Sequence, residues 1–148
     1  MNRFLAAAVL SGLAICGTAR GQECTQVIEG NDLIQWNVSE IRVSAECEEV
    51  TINLVHTGQL AANIMGHNWV LTTAADYMPL ATVAAAAGPP EYLPAGDPRI
   101  IATTGMIGGG EETTVTFSLA GLEPGGAYTY FCSFPGHYVL MNGSFIIE

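Results

Sequence analysis

The chain contains no lysine, and its charge is predominantly of one sign. Four arginines stand against 14 acidic residues, so the formal net charge is −10 at pH 7. Because so few cations cannot neutralise a row of phosphates, nucleic-acid binding is excluded. The acidity instead favours solubility, and it would steer association toward a basic partner.

A long apolar run that could anchor the chain in a membrane is also missing. Phe4–Cys16 has 13 residues and follows Arg3, whereas a membrane-spanning helix needs about 20. This pattern is typical of a secretory signal peptide. We predict cleavage after Gly21, with cleavage after Ala19 as the alternative. Residues 1–21 would be removed, and residues 22–148 would form one domain in the periplasm without stable membrane insertion.

Cysteine is scarce, and its count is informative. Loss of the signal peptide would remove Cys16 and leave Cys24, Cys47 and Cys132. In an oxidising compartment two cysteines pair and one is left over. Cys24 and Cys47 bracket the first predicted strands, and we predict a disulfide that closes a loop of about 23 residues and contributes on the order of 3 kcal/mol. For the free thiol of Cys132, a bound metal is a better explanation than chance.

Histidine is equally rare, with three in the chain, yet one lies close to the free cysteine. Cys132, His137 and Met141 place a thiol, an imidazole and a thioether within ten residues. Sulfur and imidazole ligands select copper or zinc, and a weak thioether is typical of a His-Cys-His electron-transfer copper site. His67, at the start of a strand-like run, is the candidate second imidazole. The alternative is that this spacing is fortuitous and the methionine belongs to the core.

The remaining sequence predicts short strands separated by turns. Val50–Val55 and Thr113–Leu119 alternate apolar and polar residues with period two, as half-buried strands do. The one helical segment is Asp76–Ala87, with Asp76 as its cap and Gly88 at its end. We predict an all-β Greek-key sandwich of seven to eight strands with one helical insertion. Further strand-like stretches are Thr25–Glu29, Leu33–Val38, Arg42–Ser44, His67–Thr72, Ile100–Thr103, Ala127–Phe131 and Gly143–Glu148.

These motifs resemble the azurins, the bacterial blue copper proteins of the cupredoxin family, from Cys24 to near Glu148. The resemblance is carried by Glu29–Asp32, Asn63–Leu71, Thr73–Asp76, Phe131–His137 and Leu140-Met141. It implies a soluble electron carrier that cycles one copper between Cu(II) and Cu(I), and not an enzyme. One departure from the family pattern is Trp36, which stands where phenylalanine is usual.

The resemblance also implies the ligands. The thiolate of Cys132 and the imidazoles of His67 and His137 would form the trigonal plane around copper. The thioether of Met141 and the carbonyl of Gly66 would be weak axial ligands. Hydrogen bonds near the sulfur tune such a site. The candidates for this role are Asn68, which would tie the two ligand loops together, and Ser133; each could alternatively be an ordinary turn residue.

In this family the electron enters at the edge of the C-terminal histidine, inside a ring of apolar side chains. An exposed apolar surface of this kind marks a docking site, and weak electron-transfer complexes use small interfaces. The expected partners are therefore transient redox proteins, such as cytochrome c or a copper or haem reductase. The alternative for some ring members, above all Ile64, is a position in the hydrophobic core. The ring, called the docking patch below, comprises Leu60, Ile64, Met65, Phe134, Pro135, Gly136, Val139 and Leu140.

A competing hypothesis is a copper- or zinc-binding export protein that sequesters or delivers metal. Fold analogy alone does not separate it from an electron carrier. A metal-delivery protein usually exposes more methionine or cysteine ligands than one site provides. The single cysteine and the position of Met141 therefore favour the redox function.

Overall fold

Alternating apolar and polar side chains form the strands of two packed sheets. The computed structural model describes residues 24–148, so the predicted signal peptide and its cleavage site lie outside the described residues. Within the described range there are nine strands: β1 Thr25–Asn31, β2 Gln35–Trp36, β3 Glu40–Val43, β4 Glu49–His56, β5 Val70–Thr73, β6 Ala102–Thr103, β7 Glu112–Ser118, β8 Tyr128–Phe131 and β9 Asn142–Ile147. The helices are α1 Ala62–Met65 and α2 Tyr77–Ala84, with 3-10 turns at Ala85–Ala87 and His137–Val139.

The strands confirm the predicted sandwich, with nine strands in the described range where seven to eight were predicted. One sheet has the order β2-β1-β4-β7 and the other the order β3-β9-β8-β5-β6. The pairs β1–β4 and β3–β9 are parallel, and the remaining pairs are antiparallel. Because β5 pairs with β8, the segments at the ends of these two strands come together at one end of the sandwich.

The core lies between the sheets and follows the period-two pattern. Val50, Ile52 and Leu54 of β4 are completely buried, as the alternation predicted. The largest core side chain is Trp69, whose ring centroid lies 6.0 Å from that of Tyr130 and 6.2 Å from that of Phe145. Burial of each such side chain contributes about 1.5–3 kcal/mol, so the core supplies a stiff frame for the adjoining loops.

The predicted disulfide is confirmed. Cys24 and Cys47 are bonded over a sequence separation of 23 residues. The bond joins the start of β1 to the loop that precedes β4, and Cys47 is part of the main core cluster. Cys132 is a free, buried thiol.

The predicted strand over Leu33–Val38 is wrong along most of its length. Only Gln35 and Trp36 pair with β1, because the chain first makes a turn in which Ile34 has φ 59°. The side-chain oxygen of Asn31 stabilises this turn by accepting the N–H of Leu33 at 2.9 Å. Because β-branched residues rarely adopt positive φ, Ile34 favoured the prediction of a strand here.

The helices also differ from the prediction in two places. Asp76–Ala87 is not the one helical segment, because the chain before His67 also forms the single turn of α1. The side chain of Asp76 does not cap α2; instead, the hydroxyl of Thr73 accepts the N–H of Asp76 at 3.1 Å and donates to its carboxylate at 2.8 Å. The helical segment ends before Gly88, as predicted, where φ is 74°. Across the described residues no helix is long and apolar enough to cross a membrane.

Candidate metal centre

Two loops at one end of the sandwich bring the predicted ligands together. Cys132 directly follows β8, His137 begins the 3-10 turn, and Met141 directly precedes β9. His67 lies between α1 and β5 and pairs with Ile107 through an isolated bridge. Since Val70 of β5 pairs with Phe131 of β8, the residues just outside these strands must face each other, and this places His67 beside Cys132.

The potential metal-binding atoms converge at the thiol. The sulfur of Cys132 lies 3.9 Å from Nδ1 of His67 and 3.7 Å from Nδ1 of His137. The carbonyl oxygen of Gly66 lies 3.7 Å from the same sulfur. The thiol and two imidazole nitrogens all lie within 4.8 Å of one another, and all three side chains are buried. Such a set suits a soft or borderline metal such as copper.

Both imidazoles are poised to act as neutral ligands. Nε2 of His67 lies 2.9 Å from the carbonyl oxygen of Asn31 and donates its proton there, which leaves the Nδ1 lone pair directed at the thiol. The ring of His56 stacks on that of His67 with 4.2 Å between centroids. Burial lowers the pKa of His67, and burial followed by the neighbouring histidines lowers the pKa of His137 to about 4. The lowered pKa values favour the neutral form of both imidazoles, which is the form that binds a metal.

The thiol, by contrast, needs a metal to ionise. Burial raises the pKa of Cys132 to about 12, although the backbone N–H groups of Asn68 and Phe134 hydrogen-bond to the sulfur and lower it in part. Because the chain has no lysine, a bound cation is the natural source of positive charge for a thiolate here. The donor set thus fits copper, which binds as a cation and supplies a one-electron couple.

Asn68 and Ser133 join the two ligand loops. The N–H of Ser133 donates to the amide oxygen of Asn68 at 2.9 Å, and the amide nitrogen of Asn68 donates to the hydroxyl of Ser133 at 2.8 Å. The hydroxyl of Ser133 in turn donates to the carbonyl of Glu91 at 2.9 Å, and the carboxylate of Glu91 accepts the N–H of Met106 at 2.9 Å. Glu91 was not singled out from the sequence, because a backbone carbonyl in an irregular segment leaves no sequence signal.

The backbone around Met141 closes the C-terminal ligand loop. The carbonyl of Met141 accepts the N–H of Cys132 at 3.0 Å, and its N–H donates to the carbonyl of His137 at 2.7 Å. The Met141 side chain is completely buried. Its assignment as an axial ligand, and that of the Gly66 carbonyl, remains a prediction.

Gly30 is a further functional position that the sequence analysis did not single out. A Cβ atom on Gly30 would lie 2.7 Å from Cδ2 of His67 and 3.0 Å from Cζ3 of Trp36. Only glycine therefore lets β1 pass this close to the imidazole. A glycine inside a strand is the sequence signal for such a close approach.

Several members of the docking patch are exposed, and one member contacts a candidate metal ligand. Leu60 is 39% exposed, Val139 62% and Leu140 65%. Ile64, for which a position in the core was the alternative, is 59% exposed and is therefore not part of the core. Pro135 and Gly136 are exposed, while Met65 and Phe134 are half-buried. The ring centroid of Phe134 lies 4.6 Å from that of His137, so the patch reaches this imidazole directly.

A β-sandwich with a buried His-Cys-His cluster at one end defines a cupredoxin-type, blue copper protein. Comparison with known proteins agrees. Residues 22–148 match the family described as copper binding proteins, plastocyanin/azurin family. The chain is 49% identical to an azurin of Achromobacter denitrificans over 123 residues, which are 82% of this chain and 83% of that protein. It is 46% identical to an azurin of Bordetella pertussis over 141 residues, 92% of this chain and 94% of the relative.

A further azurin, from Pseudomonas aeruginosa, is 44% identical over 149 residues that cover 100% of both chains. The chain belongs to the plastocyanin/azurin family of copper-binding proteins. The predictions of copper as the cofactor and of blue copper electron transfer as the function are confirmed by this membership together with the clustered side chains of His67, Cys132 and His137.

Proposed function

We propose that the protein carries single electrons on a copper ion held by the thiolate of Cys132 and the imidazoles of His67 and His137. The thioether of Met141 and the carbonyl of Gly66 would be further, weak ligands. The observation that carries the proposal is the buried thiol with two imidazole nitrogens, all within 4.8 Å of one another. This donor set, with a weak axial thioether, is that of a blue copper electron-transfer site.

The surrounding hydrogen bonds support rapid electron transfer because they hold the ligands in place. The carbonyl of Asn31 fixes the ring of His67, and Asn68 and Ser133 fix the spacing of the ligand loops. A site held this way changes little when copper changes its oxidation state. The backbone N–H groups of Asn68 and Phe134 also stabilise the thiolate, and such hydrogen bonds tune the reduction potential.

We propose further that the protein has no substrate chemistry of its own and passes electrons between redox proteins. The exposed docking patch supports this, since apolar surfaces of this kind serve in small, transient interfaces. The net charge of −10 favours a basic partner, and a c-type cytochrome or a copper or haem reductase is the expected class. The disulfide between Cys24 and Cys47 supports residence in the oxidising periplasm, to which residues 1–21 would direct the chain.

The proposal is tested by loading the purified mature protein with Cu(II) and recording visible and EPR spectra. We expect an intense thiolate-to-copper band with narrow copper hyperfine splitting. His137→Gln should abolish or strongly weaken this band, whereas His56→Gln, a matched change at the histidine outside the candidate ligand cluster, should retain an intense band even if its position shifts. A colourless copper complex in the wild-type protein would overturn the proposal and favour a metal-sequestration or delivery function.

A further inference from the structure

A groove that the copper site itself does not explain lies next to the docking patch. Its volume is about 460 Å³. Leu140 belongs both to this groove and to the docking patch, so the two surfaces are continuous. The groove, called the Trp36 groove below, is lined by Ile34, Gln35, Trp36, Asn37, Val38, Ser39, Leu140 and Asn142.

The floor of the groove is in contact with a metal ligand. The ring centroid of Trp36 lies 5.9 Å from that of His67, with 59° between the ring planes. Gly30 permits this approach, because a Cβ atom there would lie 3.0 Å from the indole and 2.7 Å from the imidazole. Trp36 is half-buried. The indole therefore connects the groove with the imidazole of His67.

Packing alone does not account for an indole at this position. Among the described residues, Nε1 of Trp36 has no hydrogen-bond partner although it is buried. An unsatisfied buried N–H costs about 1–3 kcal/mol. A phenylalanine would provide an apolar ring without that cost, so the indole calls for another explanation.

The charges around the groove indicate the kind of partner. The carbonyl of Glu29 accepts the N–H of Asn37 at 2.9 Å, which places the exposed Glu29 beside the rim. Asp32 does not contribute to this rim, because its carboxylate accepts the N–H groups of Gln59 and Leu60. The two arginines in the described range are both engaged: Arg42 pairs with Glu40 and Glu148, and Arg99 with Asp97. The groove lining itself carries no cation, Glu29 lies beside it, and the chain has a net charge of −10, so this surface is complementary to a basic partner.

We propose that the Trp36 groove is a second part of the docking surface and receives a redox protein whose cofactor edge is ringed by lysine or arginine. In that complex, Trp36 couples the partner's cofactor to copper through His67. This inference rests on the proposed electron-transfer function. One electron leaves the reduced cofactor of the partner, which is oxidised, and reduces Cu(II) to Cu(I). The indole remains neutral throughout; no bond forms or breaks, and no proton moves.

The first test measures binding without net electron transfer. A basic mitochondrial cytochrome c, kept reduced, is titrated into the ¹⁵N-labelled Cu(I) protein, and amide shifts are followed by NMR. We expect shifts at residues 35–39 in addition to those in the docking patch. Val38→Lys should weaken binding about tenfold, roughly 1.4 kcal/mol, because it places a cation in the groove. The Val38 side chain is 36% exposed, and the variant keeps the backbone carbonyl that accepts the hydroxyl of Tyr130 at 2.7 Å, so the fold should survive.

Two matched variants make this result specific. Val27→Lys introduces the same charge at a valine that is 55% exposed on β1 and does not line the groove; it should bind the cytochrome nearly as wild type does. Val139→Lys introduces the charge in the docking patch and should weaken binding. If the shifts stay within the docking patch and Val38→Lys binds like Val27→Lys, the groove is not a docking surface and the inference is overturned.

The second test addresses the route. With cytochrome at saturating concentration, so that a change in affinity does not enter the rate, Trp36→Leu should lower the rate constant for reduction of Cu(II) within the complex severalfold, and Trp36→Phe should restore part of the rate. A wild-type rate in Trp36→Leu would overturn the role of the indole. If the wild-type protein lacks the blue band, or if Val139→Lys also has no effect on binding, the proposed electron-transfer function itself has failed. These outcomes differ from a failure of the groove alone, in which the blue band is present and Val139→Lys still weakens binding.

Discussion

The side chain of Asn68 should stabilise the ligand loops by several kilocalories per mole. In Asn68→Ala, the buried N–H of Ser133 loses its acceptor at 2.9 Å, which costs about 1–3 kcal/mol. The bond to the Ser133 hydroxyl at 2.8 Å is lost as well, a further 0.5–1.5 kcal/mol or so. The hydroxyl keeps the carbonyl of Glu91 as a partner, so no additional penalty arises there. The expected loss is therefore about 3 kcal/mol.

The assay is urea unfolding of the metal-free protein, with the melting temperature as a second measure. For a domain of this size, about 3 kcal/mol corresponds to a decrease of roughly 10 °C. Asn53→Ala is the matched control, because that amide accepts a hydrogen bond from Thr114 at 2.9 Å on the solvent-facing side of the sheet; its effect should stay within about 0.5 kcal/mol. If both variants lose the same stability, the buried amide does not join the ligand loops energetically and the reasoning is refuted.

Three further results are expected. Copper binding at pH 7 should release one proton per metal in a lightly buffered indicator titration, since the pKa of the Cys132 thiol is about 12 and that of His137 is about 4. Below pH 4, where His137 is protonated before copper binds, a second proton should be released. No proton release at pH 7 would contradict a thiolate ligand. Gly30→Ala should shift the blue band and the EPR spectrum, because its Cβ would lie 2.7 Å from the ring of His67; unchanged spectra would count against this contact. Replacing both disulfide cysteines by serine should cost about 3 kcal/mol in urea unfolding and leave the blue band intact, and loss of the band would show that the disulfide shapes the site.

The sequence predicts those parts of the structure in which one physical effect dominates. The alternation in Val50–Val55 forms β4 because one face of the strand is buried between two sheets. The spacing from Cys132 to His137 brings two metal-binding side chains into a single loop. There the sulfur of Cys132 lies 3.7 Å from Nδ1 of His137. In each case a local pattern and the tertiary environment require the same conformation.

The features that the sequence does not predict depend on backbone atoms or on competing local effects. The carbonyls of Asn31 and Glu91 orient His67 and Ser133, but any residue type supplies a carbonyl. The apolar pattern around Ile34 favours a strand, yet the side chain of Asn31 bonds the backbone two residues on and makes a turn. Such side-chain bonds compete with strand pairing, and only the surrounding structure decides the outcome.

The two imidazoles of the site are held in different ways, and this difference bears on where electrons enter. His67 is completely buried, its Nε2 is bonded to Asn31, and its ring is flanked by those of His56 and Trp36. His137 is instead supported by a surface loop and by Phe134. Under the proposed function, an electron that enters through His137 would come by way of the docking patch, whereas one that enters through His67 would come by way of Trp36. Since Leu140 joins the two surfaces, one bound partner spanning both would use whichever ligand its cofactor edge approaches more closely.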